Sequence, residues 1–228
     1  MLNAEQIQEG ALDFRYLLNR GYPRKATLEL VGNRYQLTSD LRHLLHRGVF
    51  SNADSKLRSK KRLPIKAIRD KKLAIDGYNV IITVEAGLSG QPLVLGDDGF
   101  IRDISGLSGR FKKTERTQEA IRMVLNVLKR MKPLQILFLF DAPISRSGQL
   151  AQEIRERLKR EHIPGDARAV KVPEMILNRY PGVIATSDTA IIDQSEKVVD
   201  LAGATLRQRT ILNSLFRLNK KRTPCVHL

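Results

Sequence analysis

Apolar positions in this chain follow two regimes that change near Lys71. Before that point they recur at helical spacing. Ala11, Phe14, Tyr16, Leu17 and Leu18 form one cluster, closed by Gly21-Tyr22-Pro23, and Ala26, Leu28, Leu30 and Val31 form a second between Arg24 and Tyr35. Leu41, Leu44 and Leu45 make a third, with Ser39 or Asp40 as N-cap and Gly48 as its end. The pattern predicts a small, mainly helical N-terminal domain over residues 1–55. Residues 56–72 begin with the basic run Lys56-Leu57-Arg58-Ser59-Lys60-Lys61-Arg62 and read as a linker, or as a strip that tracks phosphates.

Beyond Lys71, short continuous apolar runs alternate with amphipathic stretches. The runs predict strands at 73–76, 135–140, 167–172 and 183–186, with a short one near Ala204-Thr205-Leu206. Helices are expected at 114–131, at 149–161, after Asp188 and at 208–218. A long segment, 83–113, separates the first strand from the first of these helices and holds a hairpin at 93–102 turning at Asp98-Gly99. Gly-Leu-Ser-Gly flanks that hairpin at 87–90 and 106–109, where it reads as turns. Strands alternating with helices predict an α/β domain over 73–228, a parallel sheet in three layers.

Three of the apolar runs end in aspartate: Asp76, Asp141 and Asp188. In an open parallel sheet the carboxyl ends of strands share one edge, and ligands bind there. Carboxylates gathered at such an edge repel one another unless a cation lies between them. A divalent metal meets that need, and a phosphodiester is its usual substrate.

Charge adds a partner. The net charge of +16 favours a polyanion, most simply nucleic acid. Residues 1–72 hold 16 Lys and Arg against 7 Asp and Glu, so the N-terminal third is the more basic per residue. The absence of Trp argues against extensive base stacking. Cys225 alone excludes an internal disulfide framework, and His43, His46, His162 and His227 form no zinc pattern with it. No apolar stretch approaches the roughly 20 residues of a membrane span, and the first residues lack the features of a signal peptide. The expectation is a cytoplasmic protein without a membrane partner. The phosphate-binding-loop and dinucleotide-binding glycine motifs are both missing.

Asp76-Gly77-Tyr78-Asn79, Phe140-Asp141-Ala142 and Ala185-Thr186-Ser187-Asp188, in this order, resemble the PIN/NYN ribonuclease superfamily, the NYN branch most closely. Gln194 and Gly203-Ala204 lie downstream much as in that branch, so the resemblance covers roughly residues 71–210. The N-terminal part, with Tyr16-Leu17-Leu18-Asn19-Arg20-Gly21-Tyr22-Pro23 and Val31-Gly32-Asn33-Arg34-Tyr35, is similar to an uncharacterised prokaryotic, mainly archaeal family that joins a small domain to a PIN-like one. The resemblance implies a metal-dependent ribonuclease that leaves a 5′-phosphate and a 3′-hydroxyl. Asp76, Asp141 and Asp188 are the expected ligands of Mg²⁺ or Mn²⁺, on which water is activated.

Each residue also has a plainer reading. Asn79 either orients Asp76 or a metal-bound water, or is a turn residue beside Gly77. Asp141 and Asp188 are also ordinary helix caps, and capping by Asp188 is compatible with ligation. Ser187, Asp193, Asp103 and Glu119 form a second tier. Asp103, with Arg102, adjoins Gly106 and Gly109 and can shape a rim; Glu119, with Glu115, is equally an acid favoured at a helix start. Lys56, Arg58, Lys60, Lys61 and Arg62, together with Arg110, Lys112 and Lys113, are the expected nucleic-acid contacts. Two other functions fit the same residues: a non-catalytic RNA- or ribosome-binding protein, and a nuclease directed at DNA. Oligomeric state leaves no signature in the chain.

Overall fold

In the computed structural model, residues 4–104, 113–208 and 214–218 are described. Four helices lead: α1 (Ala4–Asn19), α2 (Arg24–Arg34), α3 (Ser39–Gly48) and α4 (Asn52–Lys61). The cap of α3 is Thr38, whose hydroxyl accepts from the Leu41 N–H, so Ser39 and Asp40 lie within the first turn. Ser51 caps α4 in the same way through the Asp54 N–H. The basic run is therefore largely helix rather than linker. It is polar on nearly all sides, which hid its helical period, but Ser55 and Arg58 are buried along it.

The α/β part begins inside the expected linker, with β1 (Arg62–Leu63) and a 3₁₀ turn (Ile65–Ile68). It continues with β2 (Lys72–Asp76), α5 (Gly77–Leu88), β3 (Leu93–Leu95), β4 (Ile101–Asp103), α6 (Glu115–Met131) and β5 (Gln135–Asp141). There follow α7 (Ser147–Arg160), β6 (Gly165–Val170), α8 (Pro173–Leu177), β7 (Val183–Ala185) and α9 (Thr189–Gln194). Last come β8 (Val198–Val199), α10 (Leu201–Arg207) and β9 (Leu215–Arg217). Six strands form one parallel sheet in the order β1-β8-β7-β2-β5-β6, and a second sheet runs β4-β3-β9. The protein is α/β, a six-stranded parallel sheet preceded by helices.

Alternation along the strands builds the layers. Leu73 and Ile75 of β2, with Ile136, Phe138 and Phe140 of β5, face α5, α6, α7 and α10. Ala74, Leu139 and Ile184 face the other way, under Leu177 of α8 and Ile191 of α9. That second cover is thin, two helices of five and six residues. The N-terminal helices share their core with the small sheet: Phe14, Val31, Leu44 and Leu45 pack with Val94 and Leu218.

Three expected elements change. Residues 77–88 are helix, so the first part of the expected long segment 83–113 is helical; α5 is buried on most sides, so it shows no amphipathic period. The short strand expected near 204–206 belongs to α10, capped by Asp200 through the Gly203 N–H, and the strand there is β8. Where a helix is expected at 208–218, Leu215–Arg217 form β9, which pairs with β3. The hairpin is present as β3 and β4, with Gly99 at φ +87° in its turn. The second Gly-Leu-Ser-Gly, 106–109, and Cys225 and His227 lie outside the described residues. No helix among the described residues is long and apolar enough to cross a membrane.

Candidate active site at the carboxyl edge of the sheet

The chain runs from β2 to β5 and β6 on one side, then crosses back to lay β7 and β8 on the other. The strand order therefore reverses at β2, and the crevice outside its carboxyl end is the favoured place for a ligand. Asp76 ends β2. In the ladder Asp76 stands opposite Leu139, so Asp141 projects two residues further along β5. Ile75 pairs with Ala185, so the Thr186-Ser187-Asp188 turn leaves β7 beside Asp76.

Hydrogen bonds fix that turn. The Thr186 hydroxyl donates to the Asp76 carboxylate at 2.8 Å and accepts from the Asp188 N–H at 3.1 Å. Asn79 Oδ1 accepts from the Ser187 N–H at 2.8 Å and the Ser187 hydroxyl at 3.1 Å. The Asn79 N–H bonds the Asp76 carboxylate. Asn79 thus clamps α5 to the β7 turn, and Ser187 is part of the clamp. Asp188 caps α9, accepting from the Ala190 and Ile191 N–H groups through one oxygen, Oδ1.

Burial pushes the Asp76 carboxyl up to about 7, reinforced by the charges of Asp188 and Asp141 against the Thr186 and Asn79 bonds. Asp141 is also raised, by burial and then by Glu174. The Tyr78 phenol is pushed up to about 12 by burial and Asp141, its ring meeting Phe140 edge-on at 5.2 Å. The charges acting on Asp76 and Asp141 are thus other carboxylates.

Glu174 escaped the sequence reading. It opens α8 just past β6, beside Asp141. An acid therefore follows each of four adjacent strands, β7, β2, β5 and β6. The signal was the same as for the aspartates, but Lys171-Val172-Pro173 separates Glu174 from its strand.

Several other expected residues are engaged elsewhere. Asp193 holds Arg58 in a two-pronged pair, both bonds 2.7 Å, which joins α9 to α4. That pair also removes Arg58 from the expected nucleic-acid contacts, and Lys61 donates to the carbonyls of Ile192 and Asp193 near the end of α9. Asp103 is buried in the small sheet, where the Thr83 hydroxyl approaches it at 3.4 Å. Glu119 pairs with Arg116 and Arg122 on its own helix. Lys113 pairs with Glu153. Lys56, Lys60 and Arg62 are exposed. Arg110 and Lys112 lie outside the described residues.

Among the described residues, no three His, Cys, Asp or Glu side chains stand close enough together to hold a metal ion. The donor chemistry nonetheless fits Mg²⁺ or Mn²⁺, which take hard oxygens, and Mg²⁺ typically takes one or two carboxylates, the rest being water and substrate phosphate.

Glycine is required where β2 enters α5. A Cβ on Gly77 would lie 2.2 Å from Cε1 of the Phe140 ring. Gly77→Ala is expected to cost about 1–3 kcal/mol through overpacking, read as a lower urea midpoint. An unchanged midpoint would mean that Phe140 can swing aside.

The chain matches the family described as Domain of unknown function (DUF5616) over residues 65–204. It also matches the family described as Protein of unknown function (DUF434) over residues 6–61, which span α1 to α4. It is 37% identical over 197 residues to Uncharacterized protein MJ0935 of Methanocaldococcus jannaschii, covering 86% of this chain and 94% of that protein. No solved structure matches.

Proposed function

This chain belongs to the DUF5616 family, and from its carboxyl-edge site we propose a metal-dependent nuclease of PIN-like fold that hydrolyses RNA phosphodiesters. One observation carries the reading: acids end or follow adjacent parallel strands at the point where strand order reverses, and Asp76 is held up at about 7 by burial and then by the charges of Asp188 and Asp141. A protein keeps such mutually repelling groups at a cost to stability, which a bound cation offsets. Asp76 and Asp141 would hold the ion, with Asp188 Oδ2, which accepts no hydrogen bond among the described residues, as a further oxygen. When bound, the ion supplies Lewis acidity and acidifies water. Thr186 and the Asn79 N–H keep Asp76 aimed at the crevice. The overall charge of +16 favours a polyanionic substrate.

The test is incubation of a mixed RNA pool with Mg²⁺ or Mn²⁺, against EDTA. Metal-dependent fragments carrying 5′-phosphates are expected, and a DNA strand of the same sequence separates RNA from DNA specificity. A second reading, a non-catalytic RNA-binding protein, is favoured by the lack of a three-donor group among the described residues. Tight, salt-sensitive binding without cutting would select it.

A further inference from the structure

At the opposite end of the same strands lies a cavity of about 510 Å³, within the range of small-ligand sites. It opens where Lys72 begins β2 and Val183 begins β7. Four cations line it: Lys71, Lys72, Arg179 and Lys197. All four are exposed, and among the described residues none of them forms an ion pair. Among the described residues Glu196 is the one carboxylate in the lining, and Tyr180 contributes a half-buried ring on which a base can stack. Arg15, Arg58 and Arg102, by contrast, are all paired with aspartates. Unneutralised charge is thus gathered in a concave place of suitable size.

Helix α8 joins this cavity to the acids. Glu174 in its first turn lies by Asp141, and Leu177 at its end lines the cavity. Between them Met175 and Ile176 are exposed apolar surface, 59% and 39% accessible. The length of β2 separates the two ends by roughly 17 Å, a distance that a few nucleotides of single strand can bridge.

We propose that this cavity is a polynucleotide subsite, in which Lys71, Lys72, Arg179 and Lys197 hold backbone phosphates of an RNA strand that runs along α8 to the carboxylates. The cavity's affinity for RNA stands on its own charge and shape; the scissile bond at the far end rests on the nuclease reading.

The experiment is fluorescence anisotropy on the full chain, with labelled single-stranded RNA of about a dozen nucleotides in EDTA, at several salt concentrations. Cleavage of the same RNA in Mn²⁺ is followed in parallel. The variants are Lys72→Gln with Lys197→Gln, Arg179→Gln alone, and Asp76→Asn. Loss of two phosphate contacts is expected to weaken binding about tenfold and to shrink the log–log salt slope by about 1.4, and Arg179→Gln to shrink it by about 0.7. Melting temperatures of these surface variants should match the wild type. Unchanged affinity and slope in both cation variants would overturn the subsite, whether or not the wild type cuts. Weakened binding in those variants, with no cutting by any protein, would uphold the subsite and remove the nuclease reading. Loss of cleavage in Asp76→Asn, with the cavity intact, tests the scissile end apart from the subsite.

Discussion

Asp76→Asn is expected to abolish metal-dependent cleavage and at the same time to stabilise the protein at neutral pH. The first effect follows from position. Asp76 ends the strand at which the order reverses, and its carboxylate is the one acted on by both Asp188 and Asp141. Removing one preorganised electrostatic group from an active site costs roughly 10²–10³-fold in rate, and loss of a metal ligand should reach at least that. The amide keeps the shape and can still accept from Thr186, so the loss is one of charge. A variant that retains wild-type cleavage would remove Asp76 from the chemistry.

The stability effect has a definite sign. The folded state lifts the Asp76 carboxyl to about 7, well above the value of an unfolded aspartate. Between those two values the folded chain binds the extra proton, so stability falls as pH rises from about 4 to about 7. Asn at this position never ionises. Melting temperatures in EDTA should therefore fall less steeply across that window in Asp76→Asn than in the wild type, with the variant the more stable above it. Each kcal/mol amounts to roughly 2–4 °C in a chain of this size. Asp141 and Asp200 are raised by burial as well, so the wild type retains part of the slope in any case, and the difference between the two proteins isolates Asp76. Mn²⁺ at pH 8 should raise the wild-type melting temperature and leave the variant nearly unmoved. Parallel pH profiles would show that Asp76 is not the strained group.

The strands and their terminal aspartates could be read because a buried parallel strand is a short apolar run bounded by turns, and Ile136 to Phe140 followed by Asp141 has that form. The same logic failed for α5, where burial on most sides erases the helical period. It failed for α4 for the opposite reason: a helix nearly all polar looks like a solvated basic run, and its anchor, Arg58 on Asp193, spans 135 positions of sequence. Partnerships at that separation carry no local signal. Asp193, Glu119 and Asp103 stand in a second tier as further acids near the motifs, and their engagement elsewhere is visible only in the fold. Asn79 was legible as a residue of the site, but its bond to Ser187 was not, because that contact needs β2 and β7 side by side.

Arg102 is where packing and the site meet, and its replacement should give the largest loss of stability. Its guanidinium grips Asp98 with two bonds of 2.8 and 2.7 Å, both side chains being buried, and its Nε donates to the Ser187 carbonyl at 2.7 Å. The Phe50 and Phe100 rings flank it at 5.1 and 5.7 Å. Arg102→Met keeps apolar bulk between those rings but takes from a buried carboxylate the guanidinium bonded to it, leaving Arg24 and Arg58 as the charges that still act on Asp98, and breaking a buried pair costs about 3–5 kcal/mol. It also frees the Ser187 turn that presents Thr186 and Asp188, so cleavage should fall in the folded fraction too. Adding Asp98→Asn separates the two roles. The second change removes the stranded charge while keeping an acceptor for the Phe100 N–H, so urea stability should largely return. Nothing replaces the donor to Ser187, so the cleavage rate should stay low. If rate recovers together with stability, Arg102 acts only as ballast in the fold. If stability recovers alone, the hairpin positions the β7 turn for the carboxylates, and the small sheet is part of the machinery of the carboxyl edge.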